Sequence, residues 1–231
     1  MTGGTGTLGG AFIDEALKAG AHVYFSYRTR SEKTSALEGA GAHGFQIDLA
    51  ARPELSGVKE TIRKAHGRLD ILINAAAEVR DRTVKNLSVE DWDRVLDVNL
   101  SGVFHITKTF LPLLYRSTQG KILNIVSRVG AHGGFGQSNY AAAKAGLLAF
   151  THSLAGEVGR KGILVNALNP GFMISRMTEG LPPEALERPR KESLIGAVSN
   201  PQEVAQFMVY LLSDRCSTVS GQVFHYESRR L

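Results

Sequence analysis

The sequence has little that could cross-link the chain or anchor it in a membrane. Cys216 is the only cysteine among 231 residues, which excludes an internal disulfide framework and a cysteine-based metal cluster. No apolar run reaches the roughly 18 residues that a bilayer requires. The chain opens on glycines rather than on the basic and apolar residues of a signal peptide. We therefore expect a protein of the reducing cytoplasm, with no metal site and no membrane partner.

The excess of positive charge is modest and dispersed. The formal net charge is +5, and the densest basic group is Arg188, Arg190 and Lys191, which flank Pro189. This pattern indicates a solvated face, or attraction for an acidic substrate or carrier, rather than nucleic-acid binding.

Short apolar segments alternate with helical patterns along the chain. The segments typical of buried parallel strands are 22–26, 42–48, 69–74, 121–127, 163–169 and 221–226. The helical patterns lie near 9–19, 31–40, 53–66, 88–116, 140–160 and 201–213. This alternation predicts one α/β domain over residues 1–231, with a Rossmann-type, doubly wound parallel sheet between two helical layers.

A glycine-rich turn opens the chain and predicts a dinucleotide site. Gly4-x-Gly6-x-x-Gly9 leads directly into a helical pattern, where glycines let the backbone approach a pyrophosphate. Such turns follow a strand, so we expect roughly six to ten strand residues upstream of Met1. The turn residues predicted to contact the cofactor are Gly3, Thr5, Gly6, Thr7, Leu8 and Gly9.

The end of the next predicted strand indicates which nicotinamide cofactor binds. An acidic residue there would bind the ribose 2′-hydroxyl of NAD, but the chain has Tyr27, Arg28 and, further on, Arg30. Arginine can pair with a 2′-phosphate, so NADP(H) is favoured over NAD(H). The alternative is that both arginines are ordinary surface residues.

Later strand ends add further cofactor positions, because this architecture places ligands at the carboxyl ends of its strands. Asp48 could accept a hydrogen bond from the adenine amino group, and Asn74 could face the cofactor with its backbone and amide. A plain strand cap is the alternative for each. The remaining positions predicted at these two strand ends are Leu49, Ala75 and Ala76.

A serine, a tyrosine and a lysine form the candidate catalytic group. Tyr140 and Lys144 are one helical turn apart, and Ser127 ends the preceding predicted strand. An ammonium ion beside a phenol lowers the phenol pKa, and a serine hydroxyl can hold a substrate oxygen. These three side chains suit proton transfer coupled to hydride transfer. An ordinary amphipathic pair is the alternative for Tyr140 and Lys144.

With these residues assembled, the chain resembles the short-chain dehydrogenase/reductase family and, within it, the reductases of 3-oxoacyl thioesters. Ser127, Tyr140 and Lys144 match the family triad, and Asn99 in DVNLSGVF matches the asparagine of its tetrad. The resemblance implies that Asn99 holds a water-linked proton relay to Lys144. The stretch NPGFMISRM matches the segment that contacts the nicotinamide, which implies cofactor contacts for Pro170, Gly171, Met173 and Ser175. The resemblance also implies that Tyr140 and Lys144 touch the cofactor, and that the protein is a homotetramer or homodimer.

The chain departs from the family pattern in three places. Thr7 replaces the middle glycine of the turn, and Ala75 and Ala77 stand in a segment that is usually Asn-Asn-Ala-Gly. The tail HYESRRL lacks the Asn-Gly-Gly usual in the carrier-protein reductases.

Three functions are compatible with these patterns. The first is NADPH-dependent reduction of a ketone, such as a 3-oxoacyl thioester on acyl carrier protein or coenzyme A. The second is an NAD(P)-dependent dehydrogenase of a small alcohol, sugar or other carbonyl compound, and the third is a binding protein without activity. Residues 172–199 are predicted to form a partly irregular substrate lid. The apolar lid residues are either acyl-chain contacts or a buried helix face: Met173, Met177, Leu181 and Leu186.

Overall fold

A computed structural model describes residues 1–51, 55–175, 177, 178, 180 and 182–229. The strands of this part of the chain are β1 (Tyr24–Tyr27), β2 (His43–Gln46), β3 (Ile71–Asn74), β4 (Gly120–Ile125), β5 (Ile163–Asn169) and β6 (Val223–His225). Its α-helices are α1 (Thr7–Lys18), α2 (Glu32–Gly39), α3 (Leu55–His66), α4 (Val89–Leu96), α5 (Gly102–Leu114), α6 (Arg128–His132), α7 (Ser138–Val158), α8 (Pro183–Glu192) and α9 (Pro201–Leu212).

The strands form a parallel sheet in two hydrogen-bonded parts. β1 pairs with β2, and β3, β4, β5 and β6 pair in that order, with every strand parallel to its neighbour. All residues of β4 are buried, as expected of a central strand covered on both faces. The predicted α/β class with a parallel sheet is confirmed.

The first residues of the chain connect the two parts of the sheet. The Ser26 N–H donates to the Met1 carbonyl at 2.9 Å, and the Thr2 N–H donates to the Ile73 carbonyl at 2.9 Å. Residues 1–4 therefore lie between β1 and β3 and lead directly into the glycine-rich turn. The expectation of further residues before Met1 stays a prediction.

Helices cover both faces of the sheet. On one face, α1 and α9 enclose a core that includes Phe12, Ile13 and Met208. On the other face, α3, α5 and α7 enclose a core that includes Ile62 and Phe110. The three-layer arrangement follows from this burial, since each helix hides one apolar stripe against the sheet.

The helical stretch predicted near 88–116 is confirmed, although it is not one regular α-helix. It divides into α4, a π-helical turn (Asp97–Ser101) and α5. Gly102 permits the junction, because a Cβ there would lie 2.9 Å from the Asp97 carbonyl oxygen. A π-helical turn inside a longer helix is frequently associated with function, and this turn carries Asn99.

Other elements differ from the sequence expectations at their ends. β4 ends at Ile125, so Ser127 lies beyond the strand and precedes the unpredicted helix α6. The predicted start of the third helix, Pro53, lies outside the described residues. Within residues 1–51, 55–175 and 182–229, no helix is long and apolar enough to cross a membrane.

Candidate active site

The glycine-rich turn fits a dinucleotide phosphate. Gly3 has φ +70°, and a Cβ there would lie 2.8 Å from the Ala76 Cα, while a Cβ on Gly9 would lie 2.3 Å from the Gly3 carbonyl oxygen. Only glycine therefore allows this close packing. Gly6 caps α1 without a side chain, and no acid lies in the first turn, so the helix start can receive an anion.

The departure at Thr7 is accommodated by the start of α1. Thr7 is the first residue of this helix, and Leu8 after it is buried in the core. A side chain at position 7 therefore does not prevent the turn. The backbone of Thr5, Gly6 and Thr7, rather than the buried Leu8 side chain, lies at the helix start.

The segment after β3 is held differently from the expectation. The N–H groups of Ala75 and Ala76 both donate to the Thr2 hydroxyl, at 3.0 and 3.1 Å. The Asn74 amide is buried and donates to Asn124 at 2.8 Å and to Thr107 at 3.4 Å. The prediction that the Asn74 amide faces the cofactor is wrong, because this side chain joins β3 to β4 and α5.

Both arginines proposed for the 2′-phosphate have acidic partners. Arg28 Nη1 donates to Glu78 at 2.8 Å, and its side chain is 60% exposed. Arg30 pairs with Glu38 and donates to the Tyr27 hydroxyl at 3.3 Å. Tyr27 itself is buried in the core, so it can meet a cofactor only through its backbone.

Asp48 lies beside the same region as Glu78. Its carboxylate accepts from the Ala50 N–H at 3.0 Å and from Arg94 Nη1 at 3.2 Å. Burial raises the Asp48 pKa, but these two hydrogen bonds outweigh burial, so that the pKa is lowered overall. Asp48 is therefore ionised at neutral pH, and the neighbouring Leu49 side chain is buried.

The end of β4, the start of α6 and the helix α7 bring the candidate catalytic side chains together. Ser127 is the N-cap of α6, where its hydroxyl accepts from the Val129 N–H at 3.3 Å. The Ser127 hydroxyl is close enough to the Tyr140 phenol to lower its pKa. Lys144 Nζ donates to the Ile125 carbonyl at 2.7 Å and lies 5.6 Å from the centre of the Tyr140 ring. The predicted grouping of serine, tyrosine and lysine is thus present in the structure.

The close contact between α6 and α7 depends on a glycine. A Cβ on Gly130 would lie 2.8 Å from the Lys144 carbonyl carbon. A larger residue would move α6, and with it Ser127, away from Tyr140. No sequence motif had indicated this position.

The electrostatics of the pair differ from the expectation. Burial raises the pKa of Tyr140 to about 12; the bond to Ser127 opposes this rise, and the Asp81 carboxylate adds to it. Burial lowers the pKa of Lys144 to about 8. The prediction that Lys144 lowers the Tyr140 pKa is wrong in this structure, because burial of the phenol determines the shift.

Asn99 is buried in the π-helical turn and grips the segment after β3. Its Oδ1 accepts from the Glu78 N–H at 2.9 Å, and its Nδ2 donates to the Glu78 carbonyl at 2.7 Å. Both ends of the amide are therefore engaged by the main chain of one residue. Sequence reasoning missed Glu78, since no motif contains it.

The loop after β5 packs tightly beside the site. Gly171 has φ +75°, and a Cβ there would lie 2.2 Å from the Ser199 hydroxyl. Pro170 is buried, Met173 packs on the core, and the Ser175 N–H donates to the Thr178 hydroxyl at 2.9 Å. This loop has the fixed backbone that a nicotinamide contact requires.

The segment predicted as a lid contains the helix α8, which sequence reasoning did not predict. Met177 is 46% exposed and Leu186 is half-buried, whereas Leu181 lies outside the described residues. The C-terminal tail holds the end of this segment, because the Leu194 N–H donates to the Ser228 carbonyl at 2.9 Å. Arg229 lies 5.8 Å from the centre of the Phe172 ring.

Comparisons with known proteins agree with this geometry. A family model described as enoyl-(acyl carrier protein) reductase matches residues 6–228. The chain belongs to the short-chain dehydrogenase/reductase family. It is 35% identical over 232 residues to the 3-oxoacyl-[acyl-carrier-protein] reductase FabG of Aquifex aeolicus, an alignment that covers 97% of this chain and 93% of the relative.

Two other relatives carry the same name. The FabG of Thermotoga maritima is 40% identical over 179 residues, which are 78% of this chain and 73% of the relative. The FabG of Staphylococcus aureus strain Mu50 is 32% identical over 231 residues, which are 97% of this chain and 94% of the relative.

As a member of this family, the protein is an NAD(P)-dependent oxidoreductase. The family description names a reductase of an enoyl C=C bond, whereas the relatives' names describe reduction of a 3-oxoacyl ketone.

Proposed function

We propose that this oxidoreductase uses NADPH to reduce the ketone of a 3-oxoacyl thioester, carried by acyl carrier protein or coenzyme A, to the 3-hydroxy product. The observation that carries the proposal is the grouping of Ser127, Tyr140 and Lys144, in which Ser127 lowers the Tyr140 pKa and Lys144 Nζ lies 5.6 Å from the centre of the Tyr140 ring. Two hydroxyls at one point suit a carbonyl oxygen, which accepts two hydrogen bonds. The relatives named as 3-oxoacyl-[acyl-carrier-protein] reductases supply the substrate class.

Each catalytic side chain has a role in this reaction. NADPH, when bound, supplies the hydride to the ketone carbon. Tyr140 donates its proton to the carbonyl oxygen, and Ser127 donates a hydrogen bond that orients the same oxygen. Lys144 binds the ribose beside the nicotinamide. Burial lowers the Lys144 pKa to about 8 and raises that of Tyr140 to about 12, so the ammonium is the more acidic group and the phenol keeps its proton.

The raised Tyr140 pKa keeps the phenol protonated, which is the state from which a reduction starts. A phenol with a pKa of about 12 keeps its proton at neutral pH, so it acts as a donor. Oxidation of an alcohol or sugar would need the phenolate as base. The dehydrogenase reading therefore requires a bound cofactor to lower this pKa substantially.

Asn99 has a positioning role in the proposal. The resemblance assigned it a water-linked proton relay to Lys144. Since its amide is engaged by Glu78 at both ends, we assign any relay contact to its main-chain carbonyl in the π-helical turn.

The preference for NADPH rests on the end of β1. Arg28 follows this strand, no acid stands there, and its side chain is largely exposed. An exposed guanidinium at this point can meet a 2′-phosphate. The turn residues Gly3–Gly9 and the loop at 170–175 are the proposed contacts for the pyrophosphate and the nicotinamide.

We also propose that the enzyme assembles as a homodimer or homotetramer through α5 and α7. Phe104 on α5 is 44% exposed, and its ring lies 6.4 Å from that of Phe150 on α7. The exposed Phe104 ring and the half-buried Phe150 ring beside it form an apolar patch typical of an interface. Analytical ultracentrifugation tests this: the protein should sediment as a dimer or tetramer and Phe104→Glu as a smaller species, whereas a monomeric parent protein contradicts the proposal.

The substrate proposal is tested with two thioesters that differ in the reducible bond. NADPH consumption is measured with acetoacetyl-coenzyme A, a ketone, and with crotonyl-coenzyme A, an enoyl compound. Turnover of the ketone alone is expected. Turnover of the enoyl compound alone would assign the reaction in the family description instead. Ser127→Ala should lose most ketone turnover, and Ser117→Ala, at the opposite end of β4 from Ser127, should retain it.

A further inference from the structure

The Glu78 carboxylate joins arginines from three parts of the chain. Its Oε2 accepts from Arg28 Nη1 at 2.8 Å and from Arg94 Nε at 3.1 Å. Its Oε1 accepts from Arg80 Nε and Nη2 at 3.0 and 2.7 Å. The Glu78 side chain is only 12% exposed. One carboxylate therefore organises charge from the ends of β1 and β3 and from α4.

Glu78 is itself held firmly. The Asn99 amide clamps its N–H and its carbonyl, as described above, and Arg80 and Arg94 hold its carboxylate. Burial raises the Glu78 pKa, but the arginines outweigh burial and the pKa is lowered overall. The carboxylate is thus a fixed, ionised point at neutral pH.

Arg28, by contrast, has a long and largely exposed side chain. Its side chain is 60% exposed, and its guanidinium donates to the Glu78 carboxylate through Nη1. An unanchored arginine loses rotamer entropy when it binds a ligand. An arginine already fixed at Nη1 keeps its other N–H groups for an anion and loses less entropy.

The arginines around Glu78 share their acidic partners. Glu78 is shared among three guanidinium groups. Asp48 contacts Arg94, and Asp91 lies 3.8 Å from Arg80. No single carboxylate is therefore committed to Arg28 alone.

We propose that Glu78 is a positioning residue for cofactor specificity, which holds Arg28 so that its free N–H groups meet the 2′-phosphate of NADPH. The inference rests on the proposed preference for NADPH. Glu78 contributes to discrimination against NADH without contacting the reacting atoms. The Asn99 amide contacts only main-chain atoms of Glu78, so a change of the Glu78 side chain leaves these two hydrogen bonds in place.

Glu78→Gln keeps the shape and removes the charge. Since charge-assisted bonds that are partly exposed contribute modestly, we expect the KM for NADPH to rise about three- to ten-fold. The KM for NADH and both kcat values should change less than about two-fold, because the chemistry is untouched. Glu78→Asp should recover part of the loss. Glu38→Gln is the matched control, because it releases Arg30 rather than Arg28.

Direct binding tests the same point without turnover. Isothermal titration calorimetry measures adenosine 2′,5′-bisphosphate against AMP, and circular dichroism confirms that each variant is folded. Glu78→Gln should weaken only the bisphosphate. In an Arg28→Met background the same change should have no further effect, because Glu78 acts through Arg28.

The outcomes distinguish a failure of the proposed role of Glu78 from a failure of the proposed preference for NADPH. If Arg28→Met does not weaken the bisphosphate, the NADPH preference fails and the role of Glu78 fails with it. If Arg28→Met weakens it and Glu78→Gln does not, or strengthens it by removing repulsion, the role of Glu78 alone is overturned. Equal weakening of the bisphosphate and AMP, or a large fall in kcat, would also overturn it, since either indicates a general structural role.

Discussion

Replacing Tyr140 with phenylalanine removes the proposed proton donor and leaves its surroundings in place. Ser127 keeps the bond from the Val129 N–H, and Lys144 keeps its bond to the Ile125 carbonyl. The ring still fills the same space beside Lys144. The free energy of unfolding should therefore change by about 1 kcal/mol or less, the value of one net hydrogen bond.

The effect on the reaction is expected to be much larger. A positioned general acid contributes about 10²- to 10⁴-fold to the rate, which corresponds to about 3 to 5 kcal/mol in the activation barrier. The kcat of Tyr140→Phe should fall by this factor. Its dissociation constant for NADPH should stay within about two-fold, because the lost hydroxyl faces the substrate oxygen.

The assay follows NADPH absorbance with acetoacetyl-coenzyme A at saturating substrate, and NADPH binding is measured separately by fluorescence. Tyr115→Phe is the matched control, since this tyrosine is exposed at the end of α5. A Tyr140→Phe enzyme whose kcat stays within about ten-fold of the parent would refute the role of general acid. Loss of NADPH binding in a folded variant would refute the assignment of the hydroxyl to the substrate.

The remaining predictions concern the lysine, the turn and the buried amides. The kcat/KM for reduction should fall as pH rises through about 8, because Lys144 then loses its proton; a flat profile up to pH about 10, near the ordinary lysine pKa, would contradict this. Gly9→Ala places a Cβ 2.3 Å from a carbonyl oxygen, so NADPH affinity in calorimetry should fall at least about five-fold, the lower end of the usual 1–3 kcal/mol cost of overpacking; unchanged affinity would mean the turn can relax. Asn124→Ala leaves Asn74 and Thr151 without this buried partner and should cost about 2 to 4 kcal/mol in urea unfolding; a loss below about 1 kcal/mol would show that the amide chain is not structural.

Local sequence patterns were sufficient for the parts of the site that lie on one element or one turn. Tyr140 and Lys144 share a helix face, so their spacing alone brought them together. The glycine turn is likewise contiguous and leads into α1. The parallel sheet followed from the alternation of apolar strands and helices, because strand–helix–strand units leave few other arrangements.

The parts that the sequence did not reveal depend on contacts between distant segments. Arg28 and Glu78 are 50 positions apart, and nothing near either one indicates the other. The direction of the Asn74 amide depends on partners in β4 and α5. The Tyr140 pKa reflects burial by the whole fold and the nearby Asp81, which outweigh the single neighbour that the helix spacing made visible.

Local sequence patterns also could not predict short helices and irregular turns. α6 has too few residues for an apolar period to be recognised. The π-helical turn interrupts a pattern that otherwise reads as one long helix, because a single shifted turn barely alters the positions of the apolar residues.

The most direct test of the central claim is to follow deuterium from the cofactor into the product. NADPH labelled at either face of the nicotinamide C4 is incubated with acetoacetyl-coenzyme A, and the product is analysed by mass spectrometry. The account predicts 3-hydroxybutyryl-coenzyme A that carries deuterium at C3 from one of the two labelled forms. A product without deuterium from both forms, or no product with NADPH bound to the folded protein, would contradict it.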